Sequence, residues 1–184
     1  NLANCNQRIN LILGMVIIQT ATLSDAQNIL NIAKTTFSET FLEHNSTENL
    51  NLYLENHLTL LAITRQLLNP NSIFYMAVKE NEIVGYLKIN FAEAQTELRD
   101  KTSLEIERIY VLKSYHGQKI GQSMMDKAVE VCKNLNLHYI WLGVWENNKK
   151  GINFYRKNGF QIFDSHVFMI GNDCQTDFLM KVNI

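Results

Sequence analysis

The strongest constraint on this chain is a change of hydrophobic period across a glycine-bearing turn. Residues 104–112, LEIERIYVL, form a strand-like run rich in β-branched and aromatic positions. After YHGQKIGQS (115–123), apolar residues recur three or four apart at Ile120, Met124, Ala128, Val131 and Leu135, the stripe of an amphipathic helix. A strand that passes within one short turn into such a helix has two apolar surfaces to cover, and layers of helix on sheet cover both. The chain is therefore expected to build a layered α/β fold.

The remaining sequence supplies the other elements. VIIQTA (16–21) predicts a strand, and Ser24 with Gln27 predicts a capping box for a helix ending near Thr36. Residues 47–68 predict helix in one or two pieces, closed by Asn69-Pro70-Asn71 because the residue before proline is pushed out of the α region. SIFYMAVK (72–79) and IVGYLKINF (83–91), joined across Glu80-Asn81-Glu82, predict a hairpin. LHYIWLGV (137–144), FQIFDSHVFM (160–169) and DFLMKVNI (177–184) predict strands, and 148–158 a helix. The hairpins exclude an all-parallel sheet, so the layers should surround a mixed one.

At 184 residues and 46% hydrophobic, the chain suits one domain with a substantial core. Its 17 Lys and Arg nearly balance 18 Asp and Glu, with no basic block interleaved with aromatics, which argues against a nucleic-acid partner. No apolar run approaches the roughly 20 residues of a membrane span, so no membrane partner is expected. Cys5, Cys132 and Cys174 are far apart, without CxxC or a histidine cluster, and read as reduced thiols of a cytoplasmic protein with no metal site. Residues 1–14, NLANCNQRINLILG, make a poor signal peptide. Met15 is the expected start, with 1–14 an upstream extension and 15–184 a single domain.

Gly117 and Gly121 flank Gln118-Lys119-Ile120, a spacing that fits neither GxxxxGK[ST] nor GxGxxG. Unpaired backbone N–H groups at a helix N-terminus still favour an anion, and a pyrophosphate would fit. A plain strand-to-helix turn that happens to carry glycines is the alternative.

IYVLKSYHGQKIGQSMM resembles the central motif of the GNAT superfamily of acyl-CoA-dependent N-acetyltransferases, in which a strand precedes Gln or Arg, two residues, Gly, one residue, Gly or Ala, and a helix. His116 stands at the Gln/Arg position, Lys119 at the first Gly and Gly121 at the last. Asn148-Lys149-Lys150-Gly151-Ile152-Asn153-Phe154-Tyr155, followed by Asn158-Gly159-Phe160, is similar to the family's later helix and strand, with Gly151 where Ala is usual. VIIQTATLSDAQNI looks like the family's first strand and helix, so the likeness runs over 15–184. LEIERIYV, IWLGVWE and QTDFLMK resemble PaiA-type enzymes, which acetylate spermidine and spermine.

The resemblance implies a mixed, mostly antiparallel sheet of about seven strands with helices on both faces. It implies acetyl-CoA as donor and a primary amine as acceptor, with a polyamine (spermidine or spermine) leading. A peptide or protein amine is the rival acceptor, and a non-catalytic acyl-CoA sensor is the rival outside enzymes. A homodimer is an expectation by analogy with the family. By the same resemblance the cofactor would be held by Ile109, Tyr110, Val111 and Leu112, then by His116, Gly117, Gln118, Lys119, Ile120, Gly121 and Gln122, and by Asn148 and Tyr155. Val111 N–H would face the developing oxyanion, and Tyr155 would give a proton to the departing sulfur. Helix capping is the plainer role for Asn148, and core packing for Tyr155.

A cationic amine of pKa near ~10.4 must lose a proton before it attacks. Period-two geometry sets Glu105, Glu107, Ile109 and Val111 on one face, making the two carboxylates candidates to relay that proton or attract the cation. Glu105 reads equally as a salt-bridged strand residue near Arg108. Phe37, Glu39, Phe41 and Glu43 lie where the family builds its acceptor pocket, although the two phenylalanines also suit core packing. His138 and His166 lack metal-ligand spacing and read as satisfied polar residues. Lys149 and Lys150 read as a solvated helix face.

Overall fold

Seven strands form one sheet in the order β1-β2-β3-β4-β5-β7-β6 in the computed structural model, which describes residues 14–42, 47–170 and 173–184. They are β1 (Ile17–Thr20), β2 (Ser72–Lys79), β3 (Glu82–Phe91), β4 (Ser103–Val111), β5 (Tyr139–Trp145), β6 (Gln161–Ile170) and β7 (Asp173–Asn183). Among these strands β4 and β5 alone pair in parallel; every other neighbour is antiparallel. Five helices accompany them among the described residues: α1 (Ala26–Phe41), α2 (Thr47–His57), α3 (Leu60–Leu67), α4 (Ile120–Asn134) and α5 (Lys149–Lys157).

Helices cover both faces of the sheet, as the family likeness implied. On one face Ile120, Met124 and Ala128 of α4 and Ile152 of α5 pack with Leu104, Ile106, Ile140 and Leu142. On the other, Ile29, Ala33 and Phe37 of α1 and Ile63 of α3 pack with Phe74, Met76 and Tyr86. The β2–β3 hairpin closes through Glu80 and Asn81, with φ of 52° and 66°; two left-handed residues match the twist of the flanking strands.

Two helices depart from their sequence expectation. Thr22 and Asp25 make the cap, Thr22 N–H donating to Asp25 Oδ2 at 2.8 Å, and a 3₁₀ turn (Leu23–Asp25) precedes α1. That helix then continues through Thr36 to Phe41, its buried stripe extended by Phe37, and Thr35, Thr36 and Thr40 satisfy their hydroxyls on carbonyls four residues back. In α4 the buried stripe takes in Met125 and Cys132, while Leu135, 51% exposed, lies past the helix end.

Strand β4 departs more consequentially. Its register with β3 runs Leu87↔Ile109 and Lys88↔Arg108, then Ile89↔Ile106, so Glu107 is an extra residue in a β-bulge. The bulge resets the alternation. Ile109 and Val111 pack on the α4 face with Leu104 and Ile106, whereas Tyr110 and Leu112 pack on the α1–α3 face. Glu105 and Glu107 share the latter face, where both accept from Asn90 Nδ2. The expected single face for Glu105, Glu107, Ile109 and Val111 is therefore corrected.

Pairing between β4 and β5 is short: Ser103↔Tyr139, Leu104↔Ile140 and Glu105↔Trp141. Past Glu105 the outer edge of β4 has no strand beside it among the described residues. A cleft opens there between the two parallel strands.

Candidate active site

At the mouth of this cleft the chain leaves β4 through a 3₁₀ turn (Lys113–Tyr115) and enters α4. Gly117 has φ of 80° and Lys119 φ of 62°, and Ile120 opens the helix. Left-handed residues set directly before a helix N-terminus make a concave run of backbone donors suited to an anion. A side chain in this conformation costs about 1–2 kcal/mol, so Lys119 stores strain where the family usually has glycine. Lys79 Nζ donates to Gln118 Oε1 at 2.6 Å, which brings a second ammonium beside the loop. These residues fit a pyrophosphate.

His116 does not point into the loop. Its Nε2 lies 2.9 Å from Val111 O. Glu39 is also engaged here, its Oε2 accepting from Lys113 N at 2.8 Å. Glu39 therefore ties α1 to the loop instead of sharing a wall with Phe37 and Phe41; it sits two residues from Phe37, on nearly the opposite side of the helix.

Val111 sits opposite Gly85, and the following N–H, that of Leu112, donates to Val84 O at 2.9 Å. In an antiparallel ladder this makes Gly85↔Val111 a non-hydrogen-bonded pair. Val111 therefore turns its own N–H and C=O away from β3, towards the open cleft. Ile109 has the same orientation two residues earlier.

Tyr155 is 9% exposed on α5, its ring 5.4 Å from that of Phe154 and 5.9 Å from that of Phe160. Its hydroxyl has no hydrogen-bond partner among the described residues. Burial, with a smaller contribution from Tyr110, raises its pKa and keeps it protonated. Asn148 caps α5, Oδ1 accepting from Gly151 N at 2.9 Å. A Cβ at position 151 would meet the end of the Asn148 side chain at 2.7–3.0 Å, so alanine there would require that side chain to shift. The Asn148 oxygen is thus spent on the cap. Gln122 likewise holds α4 to α5 by donating to Asn158 Oδ1 at 2.7 Å.

On the α1–α3 face, Glu105 is 2% exposed and accepts from Thr96 N at 2.9 Å, from Thr96 Oγ1 and from Asn90 Nδ2 at 2.9 Å. Burial raises its pKa against those hydrogen bonds. It is sealed inside the β3–β4 bulge and cannot touch an amine in the cleft, and its partners are Thr96 and Asn90 instead of Arg108. Glu107 pairs with Lys88, itself 4% exposed, and with Arg108 Nη2 at 2.9 Å. Burial alone would raise its pKa, but Arg108, Lys88 and the hydrogen bonds from Lys88 and Asn90 hold it below the usual carboxylate range. It is an anion matched by two cations, a poor proton acceptor.

Phe37 is core: it stacks on Tyr53 of α2 at 4.5 Å, and the ring of Phe41 lies 4.5 Å from it, tilted by 36°. Phe41 extends this aromatic wall to Trp145, 6.1 Å distant. Glu43 lies outside the described residues. The sequence reading missed Tyr53, Gly143, Trp145 and Asp177. Period two along WLGVW puts Trp141, Gly143 and Trp145 on one face, and Gly143 is exposed although its strand is internal to the sheet. Asp177 Oδ2 is 3.8 Å from where a Gly143 Cβ would stand. Burial raises the Asp177 pKa, His166 opposes the rise, and Glu97 and Glu146 add to it. His166 Nδ1 lies 3.1 Å from Glu97 Oε1 without hydrogen-bond geometry, so this buried nitrogen has no hydrogen-bond partner among the described residues and the expected satisfied role is not met. Alternation along β5 was the available signal for the notch; nothing local marked Asp177 or Tyr53.

Comparison with known proteins agrees with this geometry. The chain is 37% identical over 168 residues to an uncharacterized N-acetyltransferase in the pepI 3′ region of Lactobacillus delbrueckii subsp. lactis, covering 91% of this chain and 96% of that one. It is 22% identical over 152 residues to a spermidine N(1)-acetyltransferase of Thermoplasma acidophilum, covering 80% and 89%. The crystal structure of PaiA N-acetyltransferase from the same organism, in complex with coenzyme A, superposes with a TM-score of 0.77 at 20% identity, covering 92% of this chain and 99% of that one. Residues 26–160 match the acetyltransferase (GNAT) family model. With its split parallel strands, its left-handed loop before α4 and that match, the chain belongs to the GNAT family of N-acetyltransferases, whose acetyl donor is acetyl-CoA.

Proposed function

We propose that the acceptor is a cationic primary amine, with polyamines such as spermidine and spermine the leading class. The observation that carries this reading is the floor and wall of the acceptor side: exposed Gly143, the carboxylate of Asp177, and the aromatic rings of Tyr53, Phe41 and Trp145. Aromatic faces and desolvated carboxylates are the groups that recognise ammonium. The spermidine acetyltransferase relative supports the same class.

Bound acetyl-CoA supplies an acetyl thioester, whose C–S bond breaks as the amine forms a C–N bond, giving an amide and the CoA thiol. The loop 117–122, with Lys119 and Lys79, binds the pyrophosphate. Val111 N–H, held towards the cleft, faces the carbonyl oxygen as charge grows there, a contribution of about 3 kcal/mol for one fixed donor. Tyr155, kept protonated by burial, donates to the sulfur. Asp177, paired with no Lys or Arg among the described residues, takes one proton of the ammonium, and the second, released as the C–N bond becomes an amide, replaces the one Tyr155 gave to the sulfur. Glu107 and its two cations fix the bulge that aims Val111.

Free-thiol release from acetyl-CoA, measured with spermidine, spermine, short diamines, lysine peptides and no acceptor, tests the reading. Polyamine turnover well above that of peptides is expected. Preference for peptides would transfer the assignment to a peptide or protein amine. Tight CoA binding without turnover on any acceptor would replace it with a sensor.

A further inference from the structure

We propose that His116 is a positioning residue for acetyl transfer: it clamps the Val111 carbonyl to the cofactor loop and thereby fixes the direction of the Val111 N–H. The inference rests on the acyl-transfer reading above. It starts from the 2.9 Å contact between His116 Nε2 and Val111 O. A carbonyl can only accept, so the ring donates from Nε2 and its tautomer is set.

The clamp matters because of where Val111 lies. On the β3 side the end of β4 is held by Leu112 N–H donating to Val84 O. On the cleft side β4 has no partner strand past Glu105 among the described residues. The N–H and C=O of one strand residue point the same way, so a donor fastened to the carbonyl restrains the N–H beside it. His116 is restrained in turn, its own N–H donating to Lys113 O at 3.2 Å, immediately before Gly117 with φ of 80°. Strand end and anion loop thus close into one ring of six residues, 111–116. An anion that orders the loop would also order the donor on Val111.

This assigns His116 differently from a cofactor contact at the Gln/Arg position of the motif. A contact residue would set cofactor affinity. A clamp sets turnover at saturation.

The test uses the full chain with acetyl-CoA and spermidine, comparing His116→Ala and His116→Gln. Glutamine keeps a side-chain N–H donor of similar reach. His116→Ala should lower kcat about 5- to 10-fold, the worth of one net hydrogen bond, with the CoA dissociation constant and Tm unchanged, and His116→Gln should restore most of the loss. A rise in the CoA dissociation constant at unaltered kcat, or equal losses in both variants, would overturn the clamp. Amide hydrogen exchange of Leu112 gives a readout that needs no turnover: it should quicken in His116→Ala and not in His116→Gln. Unchanged exchange would refute the clamp, whereas a wild type inactive on every amine with exchange responding as expected would refute the acyl-transfer reading instead.

Discussion

Tyr155 shows how a residue's surroundings decide its chemistry. The Tyr155 ring is buried, but its hydroxyl makes no hydrogen bond among the described residues and is not sealed from solvent. Removing it should therefore cost little stability. Tyr155→Phe is expected to leave Tm unchanged while slowing acetyl transfer about 100-fold, the usual worth of a positioned acid. Parallel thermal melts and saturation kinetics would check both halves, and undiminished turnover would strip the residue of its role. Asn148 went the other way. Its sequence position suited either cofactor or cap, and its Oδ1 makes the cap, accepting from Gly151 N. Local sequence named both residues but could not choose between roles, because the choice depends on which groups stand within about 3 Å.

At the scale of elements, the bulge in β4 organises the site. One extra residue turns Ile109 and Val111 to the α4 face and leaves Glu107 with Lys88 and Arg108 on the other. A buried ion pair broken on one side leaves an uncompensated charge, so Glu107→Gln should destabilise the fold by about 3 kcal/mol, read from urea unfolding at pH 7. The pH dependence has a definite sign. Glu107 is held below its unfolded pKa, so its stabilisation is present above an ordinary carboxylate pKa of about 4.3 and is lost as pH falls through the folded value. The gap between wild type and Glu107→Gln should therefore narrow as pH drops from 5 to 3. Glu105 is held above its unfolded pKa and acts in the opposite sense, favouring the fold as pH falls through its raised value. A gap that widened in acid would remove the ion pair from this account. In LEIERIYV the alternation of polar and apolar residues breaks at Glu107-Arg108, but that break alone does not identify a bulge, which is set by the partner strand and by the polar network beneath it.

At the scale of the whole molecule, the proposed acceptor notch is assembled from segments that are remote in sequence: Tyr53 on α2, Gly143 on β5 and Asp177 on β7. A Cβ at Gly143 would meet only ordinary contacts at 3.8 Å, so the position tolerates a side chain sterically. Gly143→Val should fold normally, because a β-branched residue suits a strand, yet it should fill the notch. The expected outcome is a fall in kcat/KM for spermidine of about tenfold, or about 1.4 kcal/mol, at unchanged KM for acetyl-CoA. Wild-type amine kinetics in this variant would place the acceptor elsewhere. The sequence by itself determined the alternation of strands and helices, the hairpin at Glu80 and Asn81, the strand–loop–helix unit around Gly117 and the family, because period, capping and turn chemistry act over a few residues. Only the tertiary structure decided which way Val111 faces, that Glu105 is sealed and Glu107 neutralised, and that Asp177 comes to lie beside Gly143. Those outcomes depend on strand register and on where β4 and β5 part, and both are set by packing between residues tens of positions apart.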